Sequence, residues 1–207
     1  MKNQIFKVIL IGGAPMTGKS SIARIIASQL KYGCLSTDDL GEAISSVTMH
    51  ETHPEFHYMN GLDYRQYYIK KSEDELKEDI LNQHKAIWPA IERLIQIHST
   101  WSTPIVIEGW AIHPEFIKNL KYVVYPLFLV APNDVIEKRI IENDFSKGST
   151  DEGEMRRKYK ARSIWFNEKI IAEANRLKLK VFENKQIISL EEIADDIIQN
   201  GYLEKNI

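Results

Sequence analysis

The chain is short of cysteine, of net charge and of long apolar runs, and each shortage closes off a class of protein. Cys34 is the only cysteine among 207 residues. No intrachain disulfide can form, and the composition favours a reducing compartment, with the cytoplasm as the expected location. Lys and Arg number 27 against 29 Asp and Glu, a formal net charge of −2. With no long block of one sign, neither bulk nucleic acid nor an anionic membrane surface is an expected partner. The apolar stretch near the N-terminus is too short to span a bilayer and does not read as a signal peptide. There are no internal repeats and no low-complexity segments. The length suits one good core with a small subdomain, so a single domain over 1–207 is expected; nothing in the pattern speaks to oligomeric state.

What is present is organised around Phe6 to Ser21, FKVILIGGAPMTGKSS. The residues Gly13, Ala14, Pro15, Met16, Thr17, Gly18, Lys19 and Ser20 follow G-x-x-x-x-G-K-[ST], a loop whose glycines let successive backbone N–H groups turn inward on a phosphate. Lys19 adds a point charge for the β- and γ-phosphates, and Ser20 offers a hydroxyl to Mg²⁺. Ser21 continues into a helix marked by Ile22, Ile25, Ile26 and Leu30, whose positive end faces the same anion. The β-branched run KVILI before the loop reads as a buried parallel strand. The motif therefore stands at the strand-to-helix turn it requires.

Taken in order, the first helix should end at a cap near Gly33, and a second strand, Cys34 to Ser36, leads into Asp38 and Asp39. Ligands of α/β folds bind at the carboxyl ends of the strands, so one of these acids can orient and deprotonate an attacking hydroxyl. The other is then free to cap a helix starting near Gly41. Residues 47–68 read as irregular and rich in His and Tyr. His50, His53 and His57 have neither a Cys partner nor an H-E-x-x-H pattern. An acceptor-binding insertion over about 47–72 is the better reading, with Arg65 clamping an anionic group and the tyrosines as walls. Ser72 and Glu75 form a capping box opening a long helix that Pro89 is expected to kink. Ile105 to Ile107 is a third strand ending at Glu108, placed to act on Mg²⁺ or on the substrate, with Trp110 and His113 beside it. Tyr122 to Ala131 is a fourth strand, and Asn133 caps a helix carrying Arg139. The polar break Phe145 to Gly153 and the basic run from Arg156 to Arg162 read as a lid, about 145–162, that brings an arginine over the phosphates. A fifth strand, Lys180 to Glu183, precedes Asn184 and Lys185, a wall for adenine, and a last helix from Leu190.

The segments IGGAPMTGKSSIA, LSTDDL and VIEGWAIHP, with the lid arginines, resemble those of small P-loop kinases. That group includes 2-phosphoglycerate kinase, chloramphenicol phosphotransferase, the zeta-toxin kinases and the shikimate and gluconate kinases. The resemblance implies a three-layer α/β fold with a five-stranded parallel sheet of order 2-3-1-4-5 and a helical lid. It implies transfer of the ATP γ-phosphoryl, with Mg²⁺, to a hydroxyl of a small acceptor such as a 2-phosphoglycerate-like compound, a sugar acid or an antibiotic. Lys19, Asp38, Arg139, Arg156 and Arg162 are then the catalytic candidates. Asp38, Asp39, Arg65, Glu108 and Trp110 are those for the acceptor, and Ser20 and Glu108 those for the metal. In 2-phosphoglycerate kinases the T-D segment runs on into an arginine; here Asp39, Leu40, Gly41 and Glu42 follow. The rival reading is a regulatory NTPase with no metabolite acceptor. It finds neither an N-K-x-D guanine-reading motif nor a D-x-x-G after the third strand, where E-G-W stands.

Overall fold

Alternate residues of the first strand face opposite layers, and that alternation sets the architecture. In the computed structural model, which describes residues 6–185 and 188–205, β1 is Val8–Gly12 and is buried throughout. Val8 and Leu10 pack into one apolar cluster with Ile87, Ile91, Phe166 and Ile170, while Ile9 and Ile11 pack into another with Ile22, Ile26, Ile193 and Ile197. A strand buried on both faces must be apolar at every position, as VILIG is.

The elements follow as α1 (Lys19–Leu30), β2 (Gly33–Ser36), α2 (Thr37–Ser45), a 3₁₀ turn (Pro54–Phe56), α3 (Tyr64–Lys70), α4 (Glu73–Thr100), β3 (Ile105–Glu108), α5 (Pro114–Ile117), β4 (Tyr125–Val130), α6 (Asn133–Glu142), α7 (Glu152–Arg176), β5 (Lys180–Glu183) and α8 (Leu190–Lys205). The strands pair in parallel in the order β2-β3-β1-β4-β5, as expected. Glu108 is in register with Ile11 on one side and Ser36 on the other, so β1, β2 and β3 end on one edge of the sheet. Pro126 is tolerated in β4 because β5 pairs only from Leu127 onward, leaving a neighbour on one side at that point. Among the described residues, no helix is long and apolar enough to cross a membrane.

Local punctuation differs from the sequence expectation in four places. The left-handed cap of α1 is Lys31, φ 57°, and Gly33 instead opens β2. The helix after β2 starts at Thr37 rather than near Gly41, because Ser36 caps it by accepting from the Asp38 N–H; neither acid is the cap. Asn133 lies inside α6, whose cap position is Pro132. The stretch 47–68 is partly helical: Asp63 caps α3 by accepting from the N–H groups of Arg65 and Gln66. The Ser72–Glu75 capping box is present, and α4 runs unbroken through Pro89.

A third apolar cluster joins α3 to α6 and α7 through Tyr67, Tyr68, Ile136, Met155 and Tyr159. Phe145 lies against Tyr64, Tyr68 and Tyr159 with ring centroids 5.1, 5.7 and 4.3 Å apart. Lys158 ties α7 to the end of α3 by donating to the carbonyls of Ile69 and Lys71 at 3.0 and 2.7 Å.

A candidate active site at the carboxyl edge of the sheet

The loop between β1 and α1 takes its shape from three residues with positive φ: Gly13 (143°), Met16 (68°) and Gly18 (95°). A Cβ on Gly13 would overlap the carbonyl oxygen of Leu129, so the loop lies on the sheet edge as only glycine allows. Within the loop the Ala14 carbonyl accepts from Thr17 Oγ1 and Lys19 Nζ, both at 2.9 Å. Two distant side chains brace it. Arg139 donates to the Met16 carbonyl at 2.7 Å, and buried Asn184 donates to the Thr17 carbonyl at 3.0 Å.

Lys19, Asp38 and Glu108 converge beside this loop. Burial pushes the Lys19 ammonium below its usual range, against the opposing pull of Glu108 and Asp38. Burial pushes Glu108 up, against Lys19 and hydrogen bonds from Ser20 and Ser36. Asp38 is reached by solvent through the cavity mouth yet is walled by protein; desolvation raises its pKa, while Lys19 and a hydrogen bond from the Trp110 indole hold it down. Carboxylates beside a buried ammonium in a cleft, one of them buried and one at the cavity mouth, are a usual setting for acid–base and phosphoryl chemistry. Ser20 and Glu108, linked by their hydrogen bond, form an all-oxygen pair that would suit a hard cation such as Mg²⁺.

A cavity of about 270 Å³ opens in front of Pro15, Lys19 and Asp38 and is walled by Tyr58, Met59, Tyr64, Tyr67, Tyr68, Phe145 and Tyr159. Arg162 reaches it from α7. The residue is 7% exposed, and its guanidinium lies over the rings of Tyr68 (4.7 Å) and Trp110 (4.9 Å) and donates to the Tyr68 hydroxyl. Among the described residues its Nε has no hydrogen-bond partner and no carboxylate pairs with it. A buried charge is normally paired, so this one is presented to an anion that enters the cavity. A second cavity, about 230 Å³, lies between α2 and α4 and shares Asp38, Tyr58 and Trp110 with the first.

Of the other sequence-selected residues, Asp39 is exposed on the first turn of α2 and lines neither cavity. Arg65 is turned away, donating to the Lys147 carbonyl at 2.9 Å and stacking on Tyr64. Arg156 donates to Ser146 and lies with Glu137 and Lys160 in a surface cleft outside the site. Gly109 has φ 150°, and a Cβ there would overlap Thr37 Oγ1, so the turn after β3 and the start of α2 are in direct contact. Sequence reasoning missed Thr37, Gln83, His84, Phe145 and Tyr159 as cavity residues. His84 does have a visible signal: it occupies an apolar-stripe position, Leu76-Ile80-His84-Ile87-Ile91, and is buried.

No protein-family model matches the chain, and no curated protein matches it in sequence. Solved structures share its fold. Shikimate kinase from Acinetobacter baumannii in complex with shikimate has a TM-score of 0.54 at 13% identity, covering 97% of this chain and 94% of that one. A gluconokinase from Sinorhizobium meliloti 1021 has a TM-score of 0.53 at 15% identity over 97% and 94%. TT1252 from Thermus thermophilus has a TM-score of 0.55 at 19% identity over 97% and 98%. The likeness extends over nearly the whole chain and establishes the P-loop α/β fold with strand order 2-3-1-4-5.

Proposed function

We propose that the protein is an ATP-dependent phosphotransferase that moves the γ-phosphoryl group to a hydroxyl of a small molecule. One observation carries the reading: Lys19, Asp38 and a buried Arg162 with no carboxylate partner among the described residues line one cavity beside a phosphate-binding loop, and Glu108 lies next to Lys19 and Ser20 at the same sheet edge. The amides of Gly13 to Ser20 hold the phosphates. Ser20 and Glu108 hold Mg²⁺, which when bound neutralises phosphate charge. Asp38 accepts the proton of the acceptor hydroxyl, and Arg162 balances charge on the phosphoryl group in flight. Arg139 and Asn184 act on the loop rather than on the reacting atoms, and Asn184 with Lys185 flanks the adenine.

Residues 47–72 serve as the acceptor-binding insertion and 145–162 as the lid. The Phe145–Tyr64–Tyr68–Tyr159 contacts and the Arg65–Lys147 hydrogen bond support their working together to exclude water. The 2-phosphoglycerate kinase, chloramphenicol phosphotransferase and zeta-toxin group and the shikimate and gluconate kinases supply the acceptor chemistries to consider. The reaction belongs in the cytoplasm, with neither nucleic acid nor membrane as partner. The test is ATP-dependent phosphorylation of a panel of alcohols by the wild type and Asp38→Asn. Transfer that survives the substitution undamaged removes Asp38 from the mechanism.

A further inference from the structure

The two cavities that meet at Asp38 carry opposite charge. The one in front of the phosphate loop holds the cations, Lys19 and Arg162. The one between α2 and α4 holds the acids, Asp38 and Glu42, and no Lys or Arg lines it. Its only other ionisable base is His84, whose Nδ1 lies 2.8 Å from Nε2 of His113. Deep burial, then the neighbouring His113 and Arg162, hold His84 well below the usual imidazole range, so it is neutral. The rest of the lining is uncharged: Gln83 offers an amide, Tyr58 and Trp110 offer rings, and Ile87 and Ala111 are apolar. A lining of two carboxylates, an amide and a tyrosine, with no cation, fits a ligand that brings hydroxyl or amine groups.

A triphosphate with its metal engages both Lys19 and Arg162. An acceptor carboxylate or phosphate would then find two carboxylates and no cation left for it. Building on the kinase reading, we propose that the acceptor occupies the cavity between α2 and α4 and is an alcohol without negative charge, neutral or cationic, rather than a sugar acid or a phosphorylated acid. Its hydroxyl proton passes to Asp38. Its oxygen forms the new bond to the γ-phosphorus, and the bond from that phosphorus to the β–γ bridging oxygen breaks, ADP leaving with the electron pair.

The test does not require that the acceptor be identified. A small-molecule extract of cells that produce the protein is split on an anion exchanger at neutral pH. The flow-through and the eluted anions are each incubated with the protein, Mg²⁺ and γ-³²P-ATP. The expected result is a new labelled phosphate ester from the flow-through, at least tenfold above the eluate. Label transferred chiefly to a compound in the anionic eluate, a nucleotide included, overturns this inference and leaves the kinase reading intact. Transfer from neither fraction, with ATP binding verified by thermal shift, overturns the kinase reading, and the acceptor assignment falls with it.

Discussion

Replacing Arg162 by Met should nearly abolish phosphoryl transfer while leaving the fold at least as stable. The guanidinium is buried without a counter-ion, held by two ring faces and the Tyr68 hydroxyl. Each cation–π contact is worth about 1 kcal/mol and the hydrogen bond about 1.5 kcal/mol, together about 3.5 kcal/mol. Against them stands an effective desolvation penalty of several kcal/mol for an unpaired buried ion. Met keeps most of the packing of the aliphatic stem, so the balance should favour the variant by about 1 kcal/mol, or about 2–4 °C in Tm for a domain of this size. Function should move the other way. Losing one preorganised charge at the transferring group lowers kcat about 10²–10⁴-fold, with the KM for ATP changed much less, because the phosphate loop is untouched. Scanning calorimetry and labelled-phosphate transfer on the same preparation read both effects. A variant that melts 5 °C lower yet keeps kcat within threefold would show Arg162 to be a structural strut, and the assignment would fail.

Three further substitutions probe the neighbours. Burial raises the Asp38 pKa, and the carboxylate must be ionised to take a proton, so kcat/KM should rise with pH through a limb above the ordinary carboxylate range. Asp38→Asn should lower kcat about 10²–10⁴-fold and erase that limb. The same shift has a stability sign: a carboxyl with a raised folded pKa favours the folded state at low pH and loses that contribution as pH climbs through the folded pKa, so Asp38→Asn should gain stability over the wild type at pH 7 but not at pH 3. Trp110→Phe keeps a ring for Arg162 but removes the N–H that stabilises the Asp38 carboxylate. The expected result is about a tenfold loss in kcat/KM with the acidic limb moved to higher pH, and an unmoved limb would count against the hydrogen bond. Gly109→Ala should destabilise the fold by about 2 kcal/mol or more, read from the urea midpoint, because the added methyl meets Thr37 at a left-handed φ. A variant within 0.5 kcal/mol of wild type, about the scatter of an ordinary surface change, would show that α2 shifts freely.

The parts of the site that a local rule dictates were legible without coordinates. A phosphate loop is a property of eight consecutive residues and the strand before them, and Glu108 stands at a strand end wherever that strand is placed. The strand order was available only from the family resemblance, because pairing of strands so far apart in the chain leaves no local mark. The start of α2 was misread for a definite reason. Asp38 and Asp39 are both good caps, but Ser36, one residue before the helix, takes that position, which frees Asp38 to face the cavity.

The choice among the basic residues of α7 shows where periodicity can carry more than composition. As a run, Arg156, Arg157, Lys158, Lys160 and Arg162 look equivalent. Placed on a helix they are not. Met155, Tyr159, Arg162, Phe166 and Ile170 recur at spacings of four, three, four and four, the stripe that faces the core, and all five are buried. Arg156 and Arg157 lie off that stripe, and both find ordinary partners, Ser146 for one, Glu73 and Glu154 for the other. An arginine on an apolar stripe must either be neutralised by a buried carboxylate or await an anion. Helix periodicity therefore separates Arg162 from Arg156 and Arg157; Lys158, four residues before it and also buried, is told apart by its partners, the carbonyls of Ile69 and Lys71. Which alternative holds is decided by residues distant in sequence: Tyr68 on α3 and Trp110 after β3 supply ring faces where a structural ion pair would have required an acid.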